Sequence, residues 1–226
     1  MPDVAVLIPA LNCERTIADV VTGARRFIAT VLVVDDGSRD ATGERAAGAG
    51  AEVVTHPRNR GKGAALQTGL QLLARRGFDR VLTMDGDGQH LSAEIPVLLR
   101  ASDAAPAAIA IGARQFEAVA IAPLKLFGNR FANRWVEIAC GQRLPDTQSG
   151  FRVYPLRRTL ALGARAEHFA FETEVLIRAA RAGLTIRSAP VDVYYPPADE
   201  RVSHFRPFLD TVRIIFVVLG LIFRIR

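Results

Sequence analysis

Arg80-Val81-Leu82-Thr83-Met84-Asp85-Gly86-Asp87-Gly88-Gln89-His90 is the stretch that decides the fold. Its first residues form an apolar, β-branched run that reads as a short buried strand. The aspartates and glycines after it read as the loop at that strand's carboxyl end. Two carboxylates at i and i+2 point the same way, roughly 6–7 Å apart at about 3.3 Å per residue. Hard oxygen ligands of this kind suit Mg²⁺ or Mn²⁺, which keep several waters and bind phosphates. The stretch therefore implies a diphosphate held through a divalent cation. An ordinary Asp-Gly turn is the competing reading. A calcium-binding helix-loop-helix is excluded, because His90 stands at the sixth loop position, which needs Gly, and Pro96 at the twelfth, which needs Glu.

Working outward, the same alternation of strand and helix recurs. Strands are expected at Val4–Ile8, Val31–Val34, Glu52–Thr55, Val81–Met84 and Ala107–Ile111. Between them fall helices from an Asn12 cap to about Phe27, over Ala41–Ala47, over Gly61–Arg76 with Gly77 as its stop, and over Ala93–Ser102. Aliphatic strands in βαβ alternation predict an α/β protein with a mostly parallel central sheet and helices on both faces. In such sheets ligands sit beyond the carboxyl ends of the strands. Pro9-Ala10-Leu11-Asn12, Asp35-Asp36-Gly37-Ser38, the Asp-Gly-Asp loop and Gly112-Ala113-Arg114 all fall there.

The 226 residues suffice for one such domain. Half are hydrophobic and 23% are charged, which excludes a disordered chain. Cys13 and Cys140 make no disulfide framework, so a reducing compartment is expected, and no signal peptide is read at the start. Of the net charge of +6, five arginines against Asp210 place +4 between Arg201 and Arg226. Ile214–Phe223 in that segment is apolar but for Gly220. Ten helical residues span about 15 Å, half of a ~30 Å hydrocarbon core, so the run cannot cross a bilayer alone. With Arg213, Arg224 and Arg226 at its ends it suits an anionic membrane surface. The expected organisation is a catalytic domain over 1–200 and a basic, apolar helix over 201–226.

Later segments are less regular. Leu124, Phe127, Phe131, Trp135 and Ile138 fall at helical spacing, for which core packing is the preferred reading. Arg130 and Arg134 stand one turn apart, where like charges repel unless solvated or bridged by an anion. A helix is expected from about Phe171 to Arg181, then a strand near Thr185–Val193. Gly61-Lys62-Gly63 is no phosphate loop of the GxxxxGK[ST] kind, since Ala64 stands where a hydroxyl is required.

Taken together, Ile8–Asn12, Val34–Asp40, Asn59–Ala65, Asp85–His90, Ile111–Arg114, Asp146–Arg152 and Glu200–Ser203 resemble the family 2 glycosyltransferases in motif and order. Within that family the chain is most similar to the dolichyl-phosphate mannose synthase and polyprenyl-phosphate glycosyltransferase branch. The resemblance implies the glycosyltransferase-A fold, a nucleotide-diphosphate sugar donor, inversion at the anomeric carbon and dependence on Mg²⁺ or Mn²⁺. It places Pro9, Leu11, Asp35 and Asp36 around the nucleoside. Asp87 and Gln89, with Asp85 and Gly86 beside them, are placed at the metal and diphosphate. Arg114 and Arg201 would meet phosphates of donor or acceptor, and Arg130 with Arg134 the acceptor's phosphate. Leu11 stands where many relatives have Tyr. A hexose transferred to a polyprenyl phosphate, at the cytoplasmic face of the membrane and in the service of the cell envelope, is the implied activity. No nucleic-acid partner is expected.

The chemistry of the residues agrees. A departing nucleoside diphosphate needs its charge neutralised, which a cation and arginines supply without a covalent step. A phosphate acceptor, with a second pKa near 6, is already anionic at pH 7 and needs little base help. A sugar hydroxyl needs a general base, for which Asp146, then Glu172 and Glu174, are the candidates. A turn or cap role for Asp146 ahead of Ser149-Gly150 is the alternative. A non-catalytic nucleotide-binding module is the remaining reading, and the intact Asp85, Asp87 and Gln89 speak against it.

Overall fold

The computed structural model describes residues 4–115, 133–195 and 220–221. In chain order these form β1 (Val4–Ala10), α1 (Ile17–Arg25), β2 (Val31–Asp35), α2 (Thr42–Gly48), β3 (Glu52–Thr55), α3 (Lys62–Arg75) and β4 (Arg80–Thr83). Then come α4 (Ile95–Asp103), β5 (Ile109–Arg114), a helix over residues 133–140 (α5), β6 (Arg152–Pro155), α6 (Leu156–Ala161), α7 (Ala170–Arg181) and β7 (Ile186–Val191).

The strands make one seven-stranded sheet in the order β3-β2-β1-β4-β6-β5-β7. All pairings are parallel except those of β6, which runs against both β4 and β5. Successive strand residues point to opposite faces. Leu7, Leu32 and Val34 thus meet Leu66, Leu70 and Leu73 of α3 and Leu176 of α7 on one side. Val6, Ile8 and Val33 meet Ile17, Val20 and Val21 of α1 and Leu98 of α4 on the other. Each such leucine or isoleucine contributes about 1.5–3 kcal/mol by leaving water. The expected mostly parallel, doubly covered sheet is the one found.

Two local expectations are corrected. Asn12 does not cap α1; it takes a left-handed turn (φ 47°) and its side chain accepts from the Arg39 N–H at 2.9 Å, so the helix begins only after Thr16. The apolar stripe of α5 does not face the core at Trp135 and Ile138, which are 39% and 55% exposed; Val136 is the buried residue there. Leu124, Phe127 and Phe131 lie outside the described residues. The reversed strand β6 and the short α6 were not foreseen. Among the described residues no helix is long and apolar enough to cross a membrane.

Candidate active site

The strand order reverses around β1 and β4, the switch point at which sheets of this kind open a crevice beyond the carboxyl ends of their strands. Ala10 lies opposite Asp35 in register, and Leu7 opposite Thr83. Pro9-Leu11, Asp35-Asp36 and Asp85-Asp87 are thereby gathered on one edge. Because β6 is antiparallel, its beginning rather than its end reaches that edge, bringing Asp146–Phe151 to the same place.

Asp85 and Asp87 occupy different surroundings. Asp85 Oδ1 lies 2.6 Å from Lys62 Nζ, which also reaches Glu172 Oε2 at 3.0 Å. Burial alone would raise the Asp85 pKa, but the ammonium outweighs it and holds the carboxyl at about 2. Burial would likewise lower Lys62; Asp85 and Glu172 reverse this and hold it above its ordinary value. Among the described residues Asp87 has no such partner in direct contact. Burial, then the like charge of Asp85, push its carboxyl up to about 6. Gly150 is pressed against the pair: a Cβ there would stand 2.7 Å from Lys62 Nζ and 2.8 Å from Asp85 Oδ2.

The loop itself is pinned at several points. Thr16 Oγ1 donates to the Gly86 carbonyl at 2.6 Å, the Gln89 N–H donates to Asp87 Oδ1 at 3.0 Å, and the Tyr194 N–H donates to the Gln89 carbonyl at 2.9 Å. His90 Nδ1 accepts the Asp85 N–H at 3.0 Å, which requires that nitrogen to be unprotonated. Burial lowers the His90 pKa to about 4 and keeps the ring neutral, while it stacks on Phe151 at 5.2 Å.

At the end of β2 Asp35 Oδ1 accepts the Ser38 N–H at 3.0 Å. The buried Asp36 carboxylate accepts from the Gly61 N–H at 2.6 Å and the Arg60 N–H at 3.0 Å, and lies 2.6 Å from His56 Nδ1. Asp36 therefore shapes the turn that delivers Lys62. Pro9 is buried and Leu11 half-buried on the rim.

Across the crevice Arg114 and Asp146 form a two-pronged ion pair, Nε to Oδ2 at 2.6 Å and Nη2 to Oδ1 at 3.0 Å. Asp146 is 1% exposed and also accepts the Gln148 N–H at 3.1 Å. The guanidinium of Arg152 is wholly buried and donates to the carbonyls of Ser149, Thr147 and Glu172 at 2.7–2.9 Å, tying this loop to the start of α7. Glu174 is held by Arg178 at 2.6 Å. Arg134 is solvent-exposed on α5, 3.6 Å from Glu137. Arg130 and Arg201 lie outside the described residues.

Lys62 and Arg152 had no site role in the sequence reading. Lys62 carried a signal, a cation between two glycines at a helix entry. Arg152 carried none, since a buried arginine satisfied by distant carbonyls has no local pattern.

The donor set of Asp85, Asp87 and Gln89 is all oxygen, as Mg²⁺ and Mn²⁺ prefer. Among the described residues no three His, Cys, Asp or Glu gather around one point, so two carboxylates would share such an ion with phosphate and water. The mostly parallel sheet with one reversed strand is that of the glycosyltransferase-A fold. Residues 5–158 match glycosyl transferase family 2, and the chain belongs to that family. It is 32% identical to glycosyltransferase AglJ of Haloferax volcanii, over 92% of this chain and 69% of that one. It is 29% identical to polyprenol monophosphomannose synthase of Mycolicibacterium smegmatis, over 82% and 75%. The fold resembles that of glucosyl-3-phosphoglycerate synthase from Mycobacterium tuberculosis, solved with Mn²⁺, uridine diphosphate and phosphoglyceric acid. The TM-score is 0.76 at 22% identity, over 97% of this chain and 78% of that one.

Proposed function

We propose that this glycosyltransferase moves a hexose, with inversion, from a nucleotide diphosphate to a polyprenyl phosphate at the membrane surface. The carrying observation is that each carboxylate ranked as a base is already bound to a cation: Asp146 to Arg114, Glu172 to Lys62 and Glu174 to Arg178. The guanidinium occupies both Asp146 oxygens, so neither is free to serve an acceptor hydroxyl as a base. An acceptor that arrives ionised, as a lipid phosphate does at pH 7, needs none. Relatives named for polyprenol and undecaprenyl phosphate mannosylation support the same acceptor class.

In this reading Asp85, Asp87 and Gln89 hold Mg²⁺ or Mn²⁺, which supplies positive charge against the departing diphosphate. Pro9, Leu11, Asp35 and Asp36 line the nucleoside, with Gly86 close to the diphosphate. Lys62 keeps Asp85 ionised and in place. Asp146 orients Arg114 toward phosphate rather than drawing a proton. Arg130, Arg134 and Arg201 would add positive charge on the acceptor side, and the tail 201–226 would rest on anionic lipid at the cytoplasmic face.

Radiolabelled nucleotide sugar incubated with membranes and the enzyme should yield a labelled, mild-acid-labile lipid. Label appearing only in a water-soluble product would refute the lipid acceptor. Asp146→Asn gives a second test. A mild loss of turnover supports the phosphate acceptor, and a large loss with donor binding intact would favour a hydroxyl acceptor instead.

A further inference from the structure

Behind the crevice a buried histidine joins three elements. His56 follows β3, and its N–H donates to the Asp35 carbonyl at the end of β2 at 2.8 Å. Its ring is buried between Asp36 and α3, with Nδ1 2.6 Å from Asp36 Oδ1 and Nε2 3.0 Å from Thr68 Oγ1. An ionised carboxylate only accepts, so Nδ1 carries the proton of the shorter contact. A polar pair at this depth costs stability unless bonded, and an aliphatic residue would fill the space without that cost. What the pair does is seen on the far side of Asp36.

There Asp36 accepts the Arg60 N–H on both oxygens, at 3.0 and 3.1 Å, and the Gly61 N–H at 2.6 Å, which Asn59 Oδ1 shares at 2.9 Å. These donors belong to the turn that opens α3, a helix with no acidic residue in its first turn and no side-chain cap from its own N-cap residue. A carboxylate held at that place by another element is favoured by the unpaired N–H groups and the helix dipole. Gly61 takes φ 93°, and a glycine imposes little shape on such a turn by itself. The next residue is Lys62, whose Nζ meets Asp85 Oδ1 at 2.6 Å and Glu172 Oε2 at 3.0 Å. The imidazole therefore braces α3 twice, at its entry through Asp36 and along its length through Thr68.

We propose that His56 is a positioning residue for Lys62: by fixing Asp36 it sets the Arg60-Gly61 turn and so holds the ammonium against Asp85. Its bearing on turnover rests on the transferase reading above. Filling the space beside Asp36 is the competing explanation, and two amides separate them. His56→Asn puts an amide N–H where Nδ1 stood and keeps the Asp36 bond. His56→Gln is nearer to histidine in size but carries its amide toward Thr68 instead. His56→Leu fills the space with neither bond.

The test is the rate at which Lys62 is acetylated by a mild acylating reagent at pH 8, read by mass spectrometry beside thermal melting and donor kinetics. Lys62 and Lys125 are the two lysines of the chain, so Lys125 serves as the internal reference. Only the free amine attacks the reagent, and an ammonium held by two carboxylates reacts slowly. The expected result is slow labelling of Lys62 in the parent and in His56→Asn. In His56→Gln and His56→Leu it should be about tenfold faster, the change that a fall of one unit in the lysine pKa gives. The donor kcat/KM should fall by a similar factor in the same two variants. The proposal is overturned if His56→Gln protects Lys62 as well as His56→Asn does, or if all three variants label as slowly as the parent. It is overturned too if labelling rises only in step with a falling melting temperature. Should His56→Leu fail to fold, the asparagine and glutamine variants decide alone. A parent that turns over no nucleotide sugar would overturn the transferase reading and leave the labelling result standing.

Discussion

Asp85 and Asp87 are two residues apart, yet their surroundings drive their protonation in opposite directions, to about 2 and about 6. Lys62 makes the difference by touching only the first. A cation that binds Asp87 must displace its proton, so apparent affinity for Mn²⁺ should be flat above pH 7. It should weaken about tenfold per unit as pH falls below 6. Calorimetric titration between pH 5 and 8 checks this, and Asp87→Ala should remove both the binding and the turnover. Cys13 gives a second expectation at this scale. Burial pushes its thiol up to about 12, ahead of repulsion from Asp87 and Asp85. Iodoacetamide at pH 8 should leave it unlabelled in the native protein and label it in denaturant, read by mass spectrometry. The aspartates were legible in the sequence because chemistry and spacing coincide in one heptapeptide. Their inequality was not, because it comes from a lysine more than twenty positions earlier and a glutamate far later.

Among elements, α3 is the one on which the crevice depends, since it carries Lys62 at its first turn and packs on β1 through Gly69. A Cβ at Gly69 would drive into the fully buried Leu7 side chain. Gly69→Ala should cost about 1–3 kcal/mol by overpacking, measured as a lower denaturation midpoint with turnover per folded molecule retained. Gly150→Ala should behave in the opposite way. Its methyl would meet Lys62 and Asp85 rather than the core, so turnover should fall at least tenfold while the midpoint moves little. The first five strands were readable from aliphatic runs ended by turn residues. β6 was not: Arg152-Val153-Tyr154-Pro155 is short, starts with a charge and ends in proline, which argues locally against a strand. Only its two neighbours in the sheet, and the carbonyls that receive the Arg152 guanidinium, make it one.

At the scale of the whole molecule, fold class was legible from the βαβ rhythm, whereas the meeting of distant loops on one edge depended on strand order. The proposed membrane contact belongs to this scale too. Replacing Arg213, Arg224 and Arg226 by Glu should abolish co-sedimentation with anionic vesicles and leave nucleoside-diphosphate binding intact, the first read by centrifugation and the second by melting shift. The reversed direction of β6 has a wider result. β1, β2 and β4 lead Pro9, Asp35 and Asp85 outward at their ends, but Asp146–Phe151 reach the same edge on their way into the sheet. On the proposed function, recognition of the donor would belong to the loops that leave the sheet and recognition of the acceptor to an insert that enters it. A lineage could lengthen or exchange that insert and acquire new recipients while its grip on the activated sugar stayed as it was.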